Sequence, residues 1–437
     1  MLSIIIILSI ALAIFLGYRT KINTGLFCIV FAYIIGCFVM GLKPKQIIGF
    51  WPTSTMFVIL SVSLFYNFAA INGTLEKMSG ALLYACRNFP GLLPYALFAV
   101  AVILSVMGAT FFTVLAFLAP ITLVICDESR MDKLTGAVAI NCGALAGGNF
   151  PTSNLGVVFR GLSDTAYEAS PEIAAVDSFN MEMKIFAFAI FFSLILITIF
   201  RFGFKENRNI GKGVTFKKPE SFTKDQKTTL TLMMAMMAVV LIFPLLNILM
   251  PGNAAVKYIS GKVDVGLVAI IFTVIALLLK LAPQKEAIAK VPWNTIIMIA
   301  GAGMLIAVAV EAGTIEALST WIGSNVPKPL VPIAFCLVGA IMSFFSSTTG
   351  VVAPALFPLI PNLAASVGLS APVLFACTIL GAQSSAISPV SSGGSLILGS
   401  TPKEEERNEL FNRLLMVAVP ISVITCTIYN FVIAMVL

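Results

Sequence analysis

Long apolar stretches alternate with short polar ones along this chain, and several approach the roughly 20 residues that a helix needs to cross a bilayer core. They predict helical spans at about 2–18, 24–42, 53–71, 184–202, 229–250, 264–281, 293–311 and 411–436. Two regions, roughly 92–160 and 327–400, interrupt the pattern with Gly, Pro, Ser and Thr. Each opens as an apolar arm, a polar tip and an apolar return, which predicts a hairpin: 92–126 with its tip at "SVMGAT" (105–110), and 331–365 with its tip at "SFFSSTTG" (343–350). A span that stops and restarts follows each hairpin, 134–160 broken at "NCGALAGGNFPTSNLG" (141–156) and 370–400 broken at 381–394. Backbone that is not helical at membrane depth persists only where it is buried in protein or lines a wet cavity. Both breaks are therefore candidate sites.

Composition fixes the class. Of 437 residues, 59% are hydrophobic and 11% charged, against about 25% charged in soluble domains, so the fold class is an all-α polytopic membrane protein. The net charge of +7 resides in loops and reads as an orientation signal, with no nucleic-acid partner implied. Residues 201–228 hold eight basic and three acidic residues, whereas 161–183 hold five acidic and no basic ones. The positive-inside rule then places 203–228 in the cytoplasm, 161–183 outside, and both termini outside. The N-terminal apolar run lacks a basic n-region and a cleavage site and reads as the first span. Eight cysteines lie singly in or near apolar runs and there is no histidine, which removes the usual metal ligand and proton shuttle. No base accompanies a serine nucleophile near "SSGGS" (391–395), so no catalytic residue and no enzyme activity is expected.

The two interrupted regions repeat one another. A shift of 238 aligns Ser105 with Ser343, Thr110 with Thr348, Pro120 with Pro358, Gly143 with Gly381, Pro151 with Pro389, Ser153 with Ser391 and Gly156 with Gly394. A shift of 240 pairs "NGTLEKMS" (72–79) with "AGTIEALS" (312–319). The matches fall on residues that shape the backbone. They divide the chain into a first repeat (1–202), a basic linker (203–228) and a second repeat (229–437). Each half supplies three spans, a hairpin, a broken span and a closing span. Five crossings is an odd number, so the second copy is inverted, giving about ten spans in all. Inverted repeats with broken helices near the midplane characterise secondary transporters.

Helix N-termini offer N–H groups and partial positive charge to an anion, and unwound carbonyls and hydroxyls offer oxygens to Na⁺. Neither tip and neither broken loop carries a charged side chain. The richest oxygen set lies at Ser346, Ser347, Thr348 and Thr349 with Ser384, Ser385, Ser388, Ser391 and Ser392; the first half offers Ser105, Thr110, Asn149, Thr152, Ser153 and Asn154. Trp51 and Trp293 sit at span starts as interfacial anchors, and Glu76 and Glu316 fall at matching helix ends after spans.

A Ser/Thr tip followed by proline ("SSTTGVVAPALFP"), then a broken span, occurring twice, resembles the divalent anion:sodium symporter family within the ion-transporter superfamily. "FYNFAAINGTLEKMSGALL" and "GGNFPTSNLG" resemble the MatC-type malonate/dicarboxylate carriers. The Ser-Asn-Thr signature of the symporter tips is replaced here by "GAT" (108–110) and "STT" (347–349). The resemblance implies a homodimer in a bacterial inner membrane whose hairpin-bearing part moves as an elevator. It implies substrate contacts at Thr110, Thr152, Ser153, Asn154, Ser347, Thr348, Thr349, Ser391 and Ser392, and Na⁺ contacts at Ser105, Gly108, Gly147, Asn149, Ser346, Thr348, Ser384 and Ser388. No cofactor is implied beyond Na⁺ as coupling ion. The expected activity is symport of a small dicarboxylate, malonate or a C4 acid; the alternative is an antiporter of the same superfamily, exchanging Na⁺ for H⁺ or exporting an oxyanion.

Overall fold

The structure, a computed structural model, describes residues 2–85, 90–210, 220–250, 253–260, 262–345, 347–389, 391–401 and 403–436. Among them every regular element is helical, and there is no strand. Among the described residues six helices are long and apolar enough to span a membrane, or up to eight if each of two bent pairs counts as one span. Their outer faces are apolar: Phe38, Phe202 and Leu278 are each more than 70% exposed, as lipid-facing side chains should be where no water competes.

The two halves have the same sequence of elements. Thr53–Ile71 and Trp293–Glu311 are both 19 residues long and start 240 positions apart (293 − 53). Thr74–Ala85 and Thr314–Asn325 keep that offset. At the hairpins the offset becomes 238: Leu93–Val106 pairs with Val331–Phe345 (331 − 93). The broken spans retain it, as Lys133–Gly148 and Asn154–Glu168 in the first half and Ala371–Ser384 and Ser392–Gly399 in the second. The halves interlock: Thr24–Tyr33 packs against Trp293–Glu311, and Thr53–Ile71 against Val265–Leu278.

Local chemistry explains the breaks. The first hairpin turns over Met107–Thr110, where the Thr110 side chain caps the return arm Phe111–Ser129 by accepting from Thr113 N. The second return arm, Thr348–Val367, passes from a wide π turn through a 3-10 segment into α-helix. Pro354, Pro358 and Pro361 lie along it, and each withholds a backbone donor from the regular ladder. Each hairpin's first arm packs on the first part of the broken span behind it, and glycine permits the approach. A Cβ on Gly143 would lie 2.5 Å from Phe98 O, and one on Gly381 would overlap Cys336 O. Those two carbonyls are themselves 238 apart (336 − 98). Likewise a Cβ on Gly156 would overlap Phe150 O and one on Gly394 would overlap Ser388 O, again at the same offset (388 − 150). The repeat is thus one packing solution used twice.

Sequence expectations are extended at three places. The stretches 74–85 and 314–325, outside the expected spans, are amphipathic helices of 12 residues, and Glu76 and Glu316 stand in their first turns, at helix ends as expected. The first of them bends 70° from the span before it; the second lies 119° from the hairpin arm that follows it. The first broken span continues to Glu168, and the closing helix begins at Ser178 rather than 184, capped by Asp177. A reading by apolar runs trims helices where charged residues begin, yet hydrogen bonding and caps carry them further.

Candidate functional site

Both tips and both breaks meet at one cavity of about 810 Å³. Four helical segments start on its wall. They are the return arms, beginning at Thr110–Phe111 and Ser347–Thr348, and the second parts of the broken spans, beginning at Asn154 and Ser391. Three of the starts are capped by side chains: Thr110 accepts from Thr113 N, Ser347 from Gly350 N and Ser391 from Gly394 N. Amide-rich, partially positive helix ends facing one space suit an anion. Lys21 and Lys290 line the same cavity, and among the described residues no Asp or Glu does.

The expected substrate contacts divide. Thr110, Asn154, Ser347, Thr348, Thr349 and Ser391 line the cavity. Ser153 is wholly buried and ties down the break, donating to Gly148 O, to Gly147 O at 3.1 Å and to Phe150 O at 2.9 Å. Thr152 is 1% exposed, lies off the cavity wall, and its Oγ1 lacks a partner. Ser392 begins its helix, beside the lining residue Gly393.

Of the expected Na⁺ contacts, Ser346 lies outside the described residues, and Thr348 is at the cavity, where its hydroxyl is 3.1 Å from that of Ser343. Ser105 is fully buried behind the wall with an unpartnered hydroxyl, and a Cβ on Gly147 would lie 2.8 Å from Ser105 Cβ. Gly108 turns the tip with φ 92° against the ring of Tyr66. Ser384 donates to Gly381 O at 2.6 Å, and Ser388 is fully buried. Asn149 is also fully buried. It makes two bonds across the molecule: Asn149 Nδ2 donates to Gln383 Oε1 at 3.0 Å, and Gln383 Nε2 donates to Asn149 Oδ1 at 2.7 Å. This amide pair links the two broken spans.

Gln383, Asn67, Asn294, Lys21 and Lys290 are cavity-lining residues that sequence reasoning passed over. Gln383 and Asn67 had a signal, an amide inside an apolar helix. Asn67 Nδ2 donates to Ala287 O at 3.0 Å.

A second cavity of about 550 Å³ lies at the other end of the scaffold helices. Trp293–Glu311 starts beside the first cavity, which Pro292 and Asn294 line, and finishes at the second with Glu311. Its repeat mate Thr53–Ile71 does the reverse, with Thr53 and Thr55 at the second cavity and Asn67 at the first. The mates run in opposite directions, so the repeat is inverted.

Comparison with known proteins agrees with this geometry. Residues 1–148 match the family model of the dicarboxylate carrier protein MatC N-terminus, and residues 256–436 match that of the citrate transporter. A sequence comparison with curated proteins finds no match. The structure resembles the Alcanivorax borkumensis YdaH transporter with a TM-score of 0.64 and 16% identity, over 90% of this chain and 87% of that one. It also resembles Neisseria gonorrhoeae MtrF, described as illuminating a class of antimetabolite efflux pumps, with a TM-score of 0.62 and 14% identity, over 93% and 84%. At these identities the structural likeness is one of fold. Together with the inverted hairpins, the matches mark the chain as a multi-pass membrane transporter of the carboxylate type, similar to dicarboxylate carriers over residues 1–148 and to citrate transporters over residues 256–436.

Proposed function

We propose that this carrier is a secondary active symporter that couples Na⁺ to uptake of a small dicarboxylate, malonate or a C4 acid, in a bacterial inner membrane. The observation that carries the reading is a single cavity with four helix starts and two lysines on its wall and, among the described residues, no carboxylate. The helix starts favour a dianion at mid-membrane without a charged side chain there, where each costs about 2.5–3.5 kcal/mol even on the lenient scale. The lysines stand at helix ends beside the loops. Ser105, with its buried unpartnered hydroxyl, and Thr348 are the best-placed oxygens for Na⁺. Enough Na⁺ to make the loaded site net positive lets the membrane potential drive uptake, by roughly 2.3 kcal/mol per charge per 100 mV. By the charge of the loops around Lys21 and Lys290, the large cavity opens to the cytoplasm. We assign the transport step to an elevator-like displacement of the hairpins and broken spans against the scaffold, in a homodimer.

Purified protein in liposomes should accumulate labelled malonate or succinate when Na⁺ is present outside. Replacement of Na⁺ by choline should abolish accumulation. Uptake that is indifferent to Na⁺ would overturn the coupling.

A further inference from the structure

Behind the first break lies an acid that the main cavity does not use. Glu182, near the start of Ser178–Gly203, is fully buried, and neither carboxylate oxygen has a hydrogen-bond partner. Arg160, in the second part of the first broken span, stacks over Phe179 on the same helix as Glu182. No ion pair within 4 Å joins them among the described residues. Arg160 instead donates from Nη1 to Pro151 O in the break at 3.2 Å and stacks 5.4 Å over the Phe179 ring, leaving its buried Nε unpartnered. Arg160 also lines the second cavity, with Asp164, Glu168, Asp264 and Glu311.

An enclosed carboxylate with neither a donor nor a contacting cation is costly when ionised, so this packing accommodates the neutral acid. The surroundings leave Arg160 alone to change that. Asp164 and Asp264 line the second cavity with Arg160, and Asp177 caps the first turn of the helix that carries Glu182. Lys184 shares the helix of Glu182. The helices Leu93–Val106, Ala371–Ser384 and Val419–Val436, which pack on Ser178–Gly203, carry no charged residue. Lys133 stands at the far end of Lys133–Gly148. The second half has no counterpart, because the position matching Arg160 is Leu398 (160 + 238). The site breaks the molecule's pseudo-symmetry.

We propose that Glu182 is a proton-binding site, occupied in this conformation and emptied when movement of the first broken span brings Arg160 onto it. The proton leaves the carboxyl oxygen for water in the second cavity as the guanidinium takes over charge compensation. A proton from the opposite side, that of the large cavity, replaces it when Arg160 withdraws to Pro151 O. Each transport cycle then moves a proton, in addition to any Na⁺.

The test uses the full chain in liposomes loaded with a pH-sensitive dye, with Na⁺ equal on both sides. Labelled malonate or succinate should move together with a change in dye signal, and an imposed pH gradient should alter the transport rate. Glu182→Gln should keep Na⁺-dependent transport and an unchanged melting temperature but lose both pH responses, whereas Glu182→Asp should retain them. A wild-type carrier that moves substrate without protons, or Glu182→Gln with intact pH responses, overturns the proposal. So does a large drop in melting temperature for Glu182→Gln, which would mark Glu182 as a structural counter-ion of Arg160. If no carboxylate is transported but a Na⁺ pulse shifts the dye signal in a Glu182-dependent way, the symport reading fails and the proton site stands. A dye that responds to neither overturns both.

Discussion

At the scale of single residues, the amide pair Asn149–Gln383 is the most exposed to test. Both side chains are buried and exchange two hydrogen bonds, so removing one leaves the other unsatisfied at a cost of about 1–3 kcal/mol. Asn149→Ala and Gln383→Ala should each lower thermal stability in detergent by that order, and the double variant by clearly less than the sum. Additive losses would show that the pair is not one unit. Hydroxyls divide by position: Thr348 and Ser391 face the cavity, while Thr228 donates to Lys224 O in an exposed turn. Thr348→Ala and Ser391→Ala should reduce uptake at least several-fold more than Thr228→Ala. Equal effects would remove these two residues from the site. Sequence singled out the Ser/Thr clusters because they sit beside Gly and Pro. It could not separate Thr348 from Ser153, since only folding shows that the Ser153 hydroxyl is consumed by the carbonyls of Gly147, Gly148 and Phe150.

At the scale of elements, close helix contact rests on Gly143 and Gly381. Valine at either meets a backbone carbonyl that cannot rotate away, and overpacking of this kind costs about 1–3 kcal/mol or more. Both variants should unfold at lower temperature, while Gly399→Ala, with nothing within 4 Å of its Cβ, should be neutral or slightly stabilising. A harmless Gly143→Val would mean that Leu93–Val106 does not pack on Lys133–Gly148 as seen. The hairpins and breaks were legible because Gly and Pro mark where a helix stops. The helices Thr74–Ala85 and Thr314–Asn325 were not. At 12 residues each, with an acid in the first turn, they are too short and too polar to register as spans.

At the scale of the molecule, ion pairs tie the start of the first broken span to the helix Glu404–Arg413 ahead of the last apolar run. Lys133 Nζ lies 2.6 Å from Glu406 and 2.9 Å from Asp127, and Arg413 lies 2.7 Å from Asp132. Lys133 first and Lys403 second hold the Glu406 carboxyl down to about 2. A depressed folded value means that the stabilisation is complete above the ordinary glutamate value of about 4.3 and is lost as pH falls toward about 2. Melting temperature should therefore decline over that acidic window, and Glu406→Gln should flatten the decline. An unchanged profile would show the pairs to be idle.

The sequence by itself determined the membrane class, the two hairpins, the two breaks and the twofold repetition. Each follows from local properties: apolar length, and the few residues that end a helix. Tertiary structure alone decided which polar groups share a space. It brought Gln383 to Asn149 from 234 positions away and set Lys21 and Lys290 on one cavity wall. It also buried Glu182 near Arg160, in a stretch that loop charge had placed outside the membrane. Burial and the convergence of helix ends depend on contacts between distant segments, and no periodicity along one chain encodes those directly.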